Sequence, residues 1–161
     1  MKKIITIAFM AFSVTSFAQT VVKNGTIYKE HPYITAVKEL TVDFAKGDIT
    51  DVVKFYADSA KFNDSYSPKV YTLAQTRANW QKLFAEWDQI TIKQEGYPDG
   101  LEYTADPFTV QSWWLITAVN KKTKKTAKFF EVIFDLFNKD GKITFESSIY
   151  DTSSLTDAMK P

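Results

Sequence analysis

The stretch GDITDVVKFYADSAKFNDSYSP, from Gly47 to Pro68, decides how this chain folds. Asp48 is a good N-cap, and Ile49, Val52, Val53 and Phe55 follow at helical spacing, so a short helix with one inward face is predicted. From Ala60 to Asp64 the pattern becomes that of a strand ending on a carboxylate, and Ser65 to Pro68 is turn chemistry. Just upstream, Pro32 suits a first helical turn. Tyr33, Ile34, Val37, Leu40, Thr41 and Phe44 then predict an amphipathic helix closed by Lys46 and Gly47. Just downstream, Thr72 to Asp88 reads as a third helix with Leu73, Trp80, Phe84 and Trp87 on one stripe.

Beyond Gln89 the periodicity changes to alternation, with Ile90 and Ile92 on one side of a strand. Phe108 to Asn120, Thr126 to Asn138 and Lys142 to Tyr150 read as three long strands. They are joined at the basic turn Lys121 to Lys125 and at Lys139-Asp140-Gly141, which makes an antiparallel meander. Three helices followed by a sheet of about four strands predict an α+β class, with the helices laid on one face of a curved sheet. Residues 19–31 read as a loose polar lead, residues 32–151 as the domain, and residues 152–161 as a polar tail in which Leu155 alone has reason to dock.

Residues 1–18 carry a basic tip at Lys2 and Lys3, an apolar run from Ile4 to Phe17 and the small residues Ser16 and Ala18. That is the layout of a cleaved secretory signal peptide, and the run is short of the roughly 20 residues that span a bilayer. A periplasmic or secreted protein is expected, with no membrane insertion after cleavage. Cleavage removes two lysines and no acid, turning the formal net charge from +1 to −1, a balance that argues against a nucleic-acid partner. The chain has no cysteine, so it holds itself together by packing, and with aromatic residues at 16% it has the material for a core.

The phrase G-D-x-x-x-[VI]-x-x-[FY]-[YF]-A-D-x-A-x-[FV]-x-D, which spans Gly47 to Asp64, resembles the opening of the nuclear transport factor 2-like superfamily. That is the cone-shaped, cystatin-like α+β fold of ketosteroid isomerase, scytalone dehydratase and the SnoaL-like polyketide cyclases. A second local match, F-x-x-F-N-x-x-G-K-I from Phe134 to Ile143, resembles the last hairpin of the same proteins. The resemblance implies a curved antiparallel sheet with three N-terminal helices on its concave face and a ligand cavity between them. It places the isomerase's general base on Asp64, its tyrosine donor on Leu40 and its second oxyanion donor on Ile133. Neither Leu40 nor Ile133 can donate, so steroid isomerisation is disfavoured. The dehydratase pattern of paired histidines fails too, because His31 is the only histidine.

Asp64 is the candidate catalytic residue. In an apolar mouth its carboxyl would be desolvated and raised towards a pKa suited to proton transfer, whereas in Asn63-Asp64-Ser65 it would merely cap a turn. Phe62, Tyr66, Trp80, Phe84, Trp113, Ile133 and Asp135 are the candidate ligand-binding residues. Trp113 and Trp114 point to opposite faces of their strand, as do the rows Phe129, Glu131, Ile133, Asp135 and Phe130, Val132, Phe134, Leu136. Burial energetics favour the wholly apolar row against the helices, which leaves the acids solvated; the resemblance favours the opposite parity, with the acids in the cavity and the apolar row as a dimer interface. No metal site or cofactor is indicated. The expected function is an exported protein that binds a small apolar or aromatic molecule, with Asp64 as the base of a cofactor-free isomerase, cyclase or lyase. The alternative is a non-catalytic interaction module that forms a homodimer through its sheet.

Overall fold

In the computed structural model of the chain, which describes residues 22–65 and 67–161, His31 opens the first long helix, α1 (Pro32–Lys46). The imidazole Nδ1 accepts the Tyr33 N–H at 3.2 Å, and Pro32 occupies the first turn, where its missing N–H costs nothing. Gly47 ends the helix at φ 78°, a left-handed conformation that favours glycine. The short helix α2 (Ile49–Val52) follows, capped by the Asp48 carboxylate, and a single 3-10 turn at Val53–Phe55 leads into β2 (Tyr56–Asp64). The expected signal peptide and Tyr66 lie outside the described residues.

A short strand β1 (Gly25–Tyr28) precedes α1. After β2 the chain forms β3 (Ser67–Thr72), α3 (Leu73–Glu86), β4 (Trp87–Gln94) and β5 (Asp99–Tyr103). The long strands β6 (Phe108–Asn120), β7 (Thr126–Phe137) and β8 (Ile143–Tyr150) come next, and the short helix α4 (Ser153–Met159) ends the chain. The strand order is β1-β5-β6-β7-β8-β2-β3, with β4 also paired to β6. Among the described residues the sheet has eight strands rather than the expected four or so, and it is mixed, because β2 runs parallel to β8 while the other pairs are antiparallel.

The differences from the sequence reading have local causes. Thr72 and Gln75 form a reciprocal capping box that starts α3, which frees Ser67 to Thr72 to pair with β2 instead of forming a loop. At the other end Trp87 is extended and pairs with Asn120, so it begins β4 and does not end the helix. The polar lead pairs Gly25–Tyr28 with Gly100–Tyr103. The tail is a helix, held by the Thr123 hydroxyl donating to the Ala158 carbonyl and by the Lys128 N–H donating to Ser154 Oγ at 2.7 Å.

Helices α1, α3 and α4 all lie on the concave side of the sheet. One apolar cluster joins Ile34 and Val37 of α1 to Val52, Tyr56, Phe62, Val110 and Trp114. A smaller one joins Ala158 and Leu155 of α4 to Trp87, Ala118 and Ala127. The two clusters leave space between them.

Candidate functional site

That space is a cavity of about 300 Å³. Leu40, Thr41 and Phe44 of α1 and Thr76, Trp80 and Leu83 of α3 line one side, with Leu155 of α4 at one end. Across from them are Ile90 and Ile92 of β4, Trp114 and Ile116 of β6, and Phe129 and Ile133 of β7. The exposed Asn79 marks the mouth. The aromatic wall is continuous: the Trp80 ring lies 5.5 Å from Phe44, 5.8 Å from Phe62 and 5.9 Å from Tyr56, centroid to centroid.

The polar groups converge on Ser148. Register places Ser148 opposite Ile133 on one side and beside Asp64 on the other, and Glu146 lies two residues earlier on the same face of β8. Glu131, opposite Trp114 and Tyr150, is hydrogen-bonded to the Ser148 side chain. Glu146 accepts the Tyr56 hydroxyl proton and shares a further hydrogen bond with Asp135, its cross-strand neighbour. Tyr56 therefore belongs to both halves of the site, its ring in the aromatic wall and its hydroxyl on the acids.

Burial governs the protonation of this patch. It pushes Glu131 up to about 8, reinforced by the charge of Glu146 and offset by the Ser148 hydrogen bond. Asp135 is raised well above the usual carboxyl range by burial and then by Glu146, whose own carboxyl is raised by burial while the Tyr56 and Asp135 hydrogen bonds oppose the rise. Tyr56 is raised for the same reasons, burial first. Asp64 combines the two roles weighed from the sequence: it accepts the Ser67 N–H of its own turn, yet lines the cavity with Oδ1 buried and unpartnered, and burial raises its carboxyl.

Of the other candidate residues, Phe62, Trp80 and Ile133 line the cavity, while Tyr66 lies outside the described residues. Phe84 does not reach the cavity; it packs behind Phe44, 5.2 Å between centroids. Trp113 lies on the convex face, and Trp114, at 3% exposed, takes the inward place with its indole N–H donating to Ser112 Oγ at 2.8 Å. Asp135 sits beneath the cavity, bonded to Glu146, and does not line it. The parity favoured by burial energetics is reversed: Glu131 and Ile133 face the helices, and Phe130 is 64% exposed. The reason is that the curved sheet closes a cavity here, so the inward row of β7 need not be wholly apolar.

Tyr56, Glu146 and Ser148 are the site residues the sequence reading missed, while Glu131 was placed in the cavity only under the parity that the family resemblance favoured. The signal for Glu131 was present, since it alternates with Ile133, the residue that the family resemblance had already placed on the cavity side. Glu146 becomes legible only with the β7–β8 register in hand. Among the described residues no three acidic or histidine side chains are grouped to hold a metal ion.

A helical layer closing a curved mixed sheet around an apolar cone is an arrangement shared with solved structures. An NTF2-like protein from Burkholderia thailandensis superposes with a TM-score of 0.65 at 18% identity, covering 82% of this chain and 100% of that one. The chain has the nuclear transport factor 2-like fold. Two further structures share it. The pinacolase BvnE from Penicillium brevicompactum matches with a TM-score of 0.65 at 10% identity, covering 78% of this chain and 89% of that one. AusH from Aspergillus nidulans matches at 0.64 and 13% identity, covering 76% and 86%. No protein-family model matches the sequence, and no curated protein matches it significantly. At such identities the shared property is the nuclear transport factor 2-like fold itself, which hosts many functions, so function is argued from the cavity.

Proposed function

We propose that this is an exported protein that binds a small, largely apolar molecule in the cone. The observation that carries the reading is the cavity, an apolar chamber of about 300 Å³ with its acids gathered around Ser148. A chamber of that size suits a ligand of one or two rings, and a few convergent polar groups in an apolar lining are the usual makeup of a small-molecule site. Solved proteins of this fold include a pinacolase, so the cone is compatible with small-molecule chemistry. The test is native mass spectrometry of the mature protein purified gently from the envelope fraction. A retained small molecule and an N-terminus at Gln19 are expected; a chain that starts at Met1 overturns export, and failure to bind any apolar probe in titration overturns the binding reading.

One observation favours a second reading, proton transfer without a cofactor. Asp64 brings a buried, unpartnered oxygen to the cavity, and Glu131, pushed up to about 8, is a neutral donor near pH 7. A carboxylate oxygen open to the cavity and a protonated acid at one apolar site are the kinds of group that acid–base catalysis pairs. Once a substrate is known, Asp64→Asn is expected to lower turnover by about a hundredfold or more while leaving ligand affinity nearly unchanged. Equal turnover in that variant removes Asp64 from the chemistry.

The uncovered apolar row of β7 supports association of two copies through the convex face of the sheet. Phe130 at 64% exposure and Ile149 at 49% lie at its centre.

A further inference from the structure

The chemistry of the cavity specifies its ligand more narrowly than size and apolarity do, and this inference rests on the binding reading above. Apart from tyrosines, every ionisable side chain in the lining is an acid: Asp64, Glu131 and Glu146. Among the described residues no lysine, arginine or histidine lines it. An anionic ligand would therefore enter a chamber with no counter-charge and three carboxyl groups. Among the described residues, the buried side-chain atoms left without hydrogen-bond partners are all oxygens, on Asn63, Asp64, Asp88 and Asp135. Asn63 and Asp64 line the cavity, and Asp135, 2% exposed, turns its bonded side to Glu146 at the cavity floor. The buried atoms left unpartnered at the site are thus acceptors. Buried acceptors without donors are costly, and a ligand that supplies N–H groups offsets that cost on binding.

Ring faces stand beside these acids. The Tyr56 ring is 5.0 Å from Phe62 and 5.9 Å from Trp80, while its hydroxyl is on Glu146, so aromatic wall and acid patch meet at one residue. Aromatic faces attract a desolvated cation, and an ammonium brings up to three N–H donors with it. We propose that the cone binds a hydrophobic amine as its ammonium ion. The N–H groups bond the carboxyls around Ser148, and the hydrocarbon body lies against Phe62, Trp80 and Trp114.

The protonation of the site gives this proposal a signature. The groups that face the patch are Tyr56 and Asp64 from β2, Tyr71 from β3, Glu131 and Asp135 from β7, and Glu146 and Tyr150 from β8; helices α1, α3 and α4 and strands β4 and β6 add no charged side chain to the lining. The empty site holds Glu131 protonated near pH 7, because burial pushes it up to about 8. An arriving ammonium supplies the missing counter-charge, Glu131 ionises, and its proton leaves to solvent. Amine affinity therefore rises with pH from about 6 to 8, whereas the affinity of a neutral isostere stays flat. With Glu131 ionised it no longer serves as an acid, so the inference stands on binding and is independent of the proton-transfer reading.

The experiment is isothermal titration of the full mature chain with benzylamine and naphthylmethylamine and with the two corresponding alcohols. It is run at pH 7 in two buffers of different ionisation heat. The expected result is binding of at least one amine about tenfold or more tighter than its alcohol. That binding is accompanied by release of up to about one proton, which Glu131→Gln largely removes. Alcohols that bind as tightly as the amines overturn the amine inference and leave the binding reading intact. Absence of binding by all four probes overturns both. Tight amine binding with no proton release and no change in Glu131→Gln overturns the assignment of the ammonium to the Ser148-centred patch.

Discussion

Glu131 and Phe130 are neighbours in sequence and opposites in environment. A strand turns alternate side chains to opposite faces, so a one-residue choice of parity puts either the acids or the phenylalanines of β7 into the cone. The choice made here costs the buried carboxyls their hydration, which raises their pKa values. Glu131 has a folded pKa of about 8 against an ordinary value of 4.5. The folded state thus keeps a proton that the unfolded state gives up, and stability contributed at low pH is lost as pH rises through that window. The full shift corresponds to at most about 5 kcal/mol between those two values. Denaturant unfolding at half-unit steps from pH 4.5 to 8.5 is expected to show falling stability, with a visibly shallower fall in Glu131→Gln; equal slopes in the two proteins would remove Glu131 from the titration. Tyr56 is tested separately. Tyr56→Phe keeps the ring against Phe62 and Trp80 but leaves Glu146 without its hydroxyl donor, and a loss of about 1–3 kcal/mol in urea unfolding at pH 7 is expected.

Elements with a strong local period were legible in the sequence, and those whose existence depends on pairing were not. Helix α1 keeps its bounds because Pro32 and Gly47 punctuate it and Ile34 and Val37 fall on one stripe. The long strands β6 to β8 alternate over enough residues to be read directly. By contrast β3, Ser67–Thr72, carries no buried residue and is a strand only because β2 lies beside it. Helix α4 has seven residues, too short to form alone, and draws its stability from docking Leu155 and Ala158 beside Trp87, Ala118 and Ala127. The same split holds for the site. Asp64, Phe62, Trp80 and Ile133 were named because each lies within a recognisable pattern, whereas the Tyr56–Glu146–Asp135 contact joins three strands that only the folded sheet brings together. The docking of α4 yields its own prediction. Leu155→Ala removes a side chain shared by the cavity wall and the α4 interface, so a loss of about 2 kcal/mol in urea unfolding is expected. No loss would mean that α4 is undocked in solution.

At the scale of the whole molecule, the two faces of one sheet have unequal coverings. Among the described residues, three helices and the cavity occupy the concave face, while the convex face presents the register rows Leu115–Phe130, Trp113–Val132–Ile149 and Leu136–Phe145 with no helix across them. Most of these side chains are half-buried by their neighbours alone, but Phe130 and Ile149 stand out at 64% and 49% exposure. A contiguous apolar patch of this kind is an aggregation hazard unless it is covered. A second copy covers it at least cost, because a two-fold axis lays the same rows against each other, and a standard interface needs about 800 Å² from each partner, within reach of three long strands. The wild type is therefore expected to be a dimer by light scattering after gel filtration at micromolar concentration. Phe130→Asp sets a pair of like charges near the axis and removes the most exposed ring, so it should shift the protein to monomer with an affinity loss of about a hundredfold or more. Because Phe130 faces away from the cavity, ligand binding should survive the change. A wild type that is monomeric at those concentrations would sink the dimer, whereas a dimer indifferent to Phe130→Asp would move the interface off the convex face.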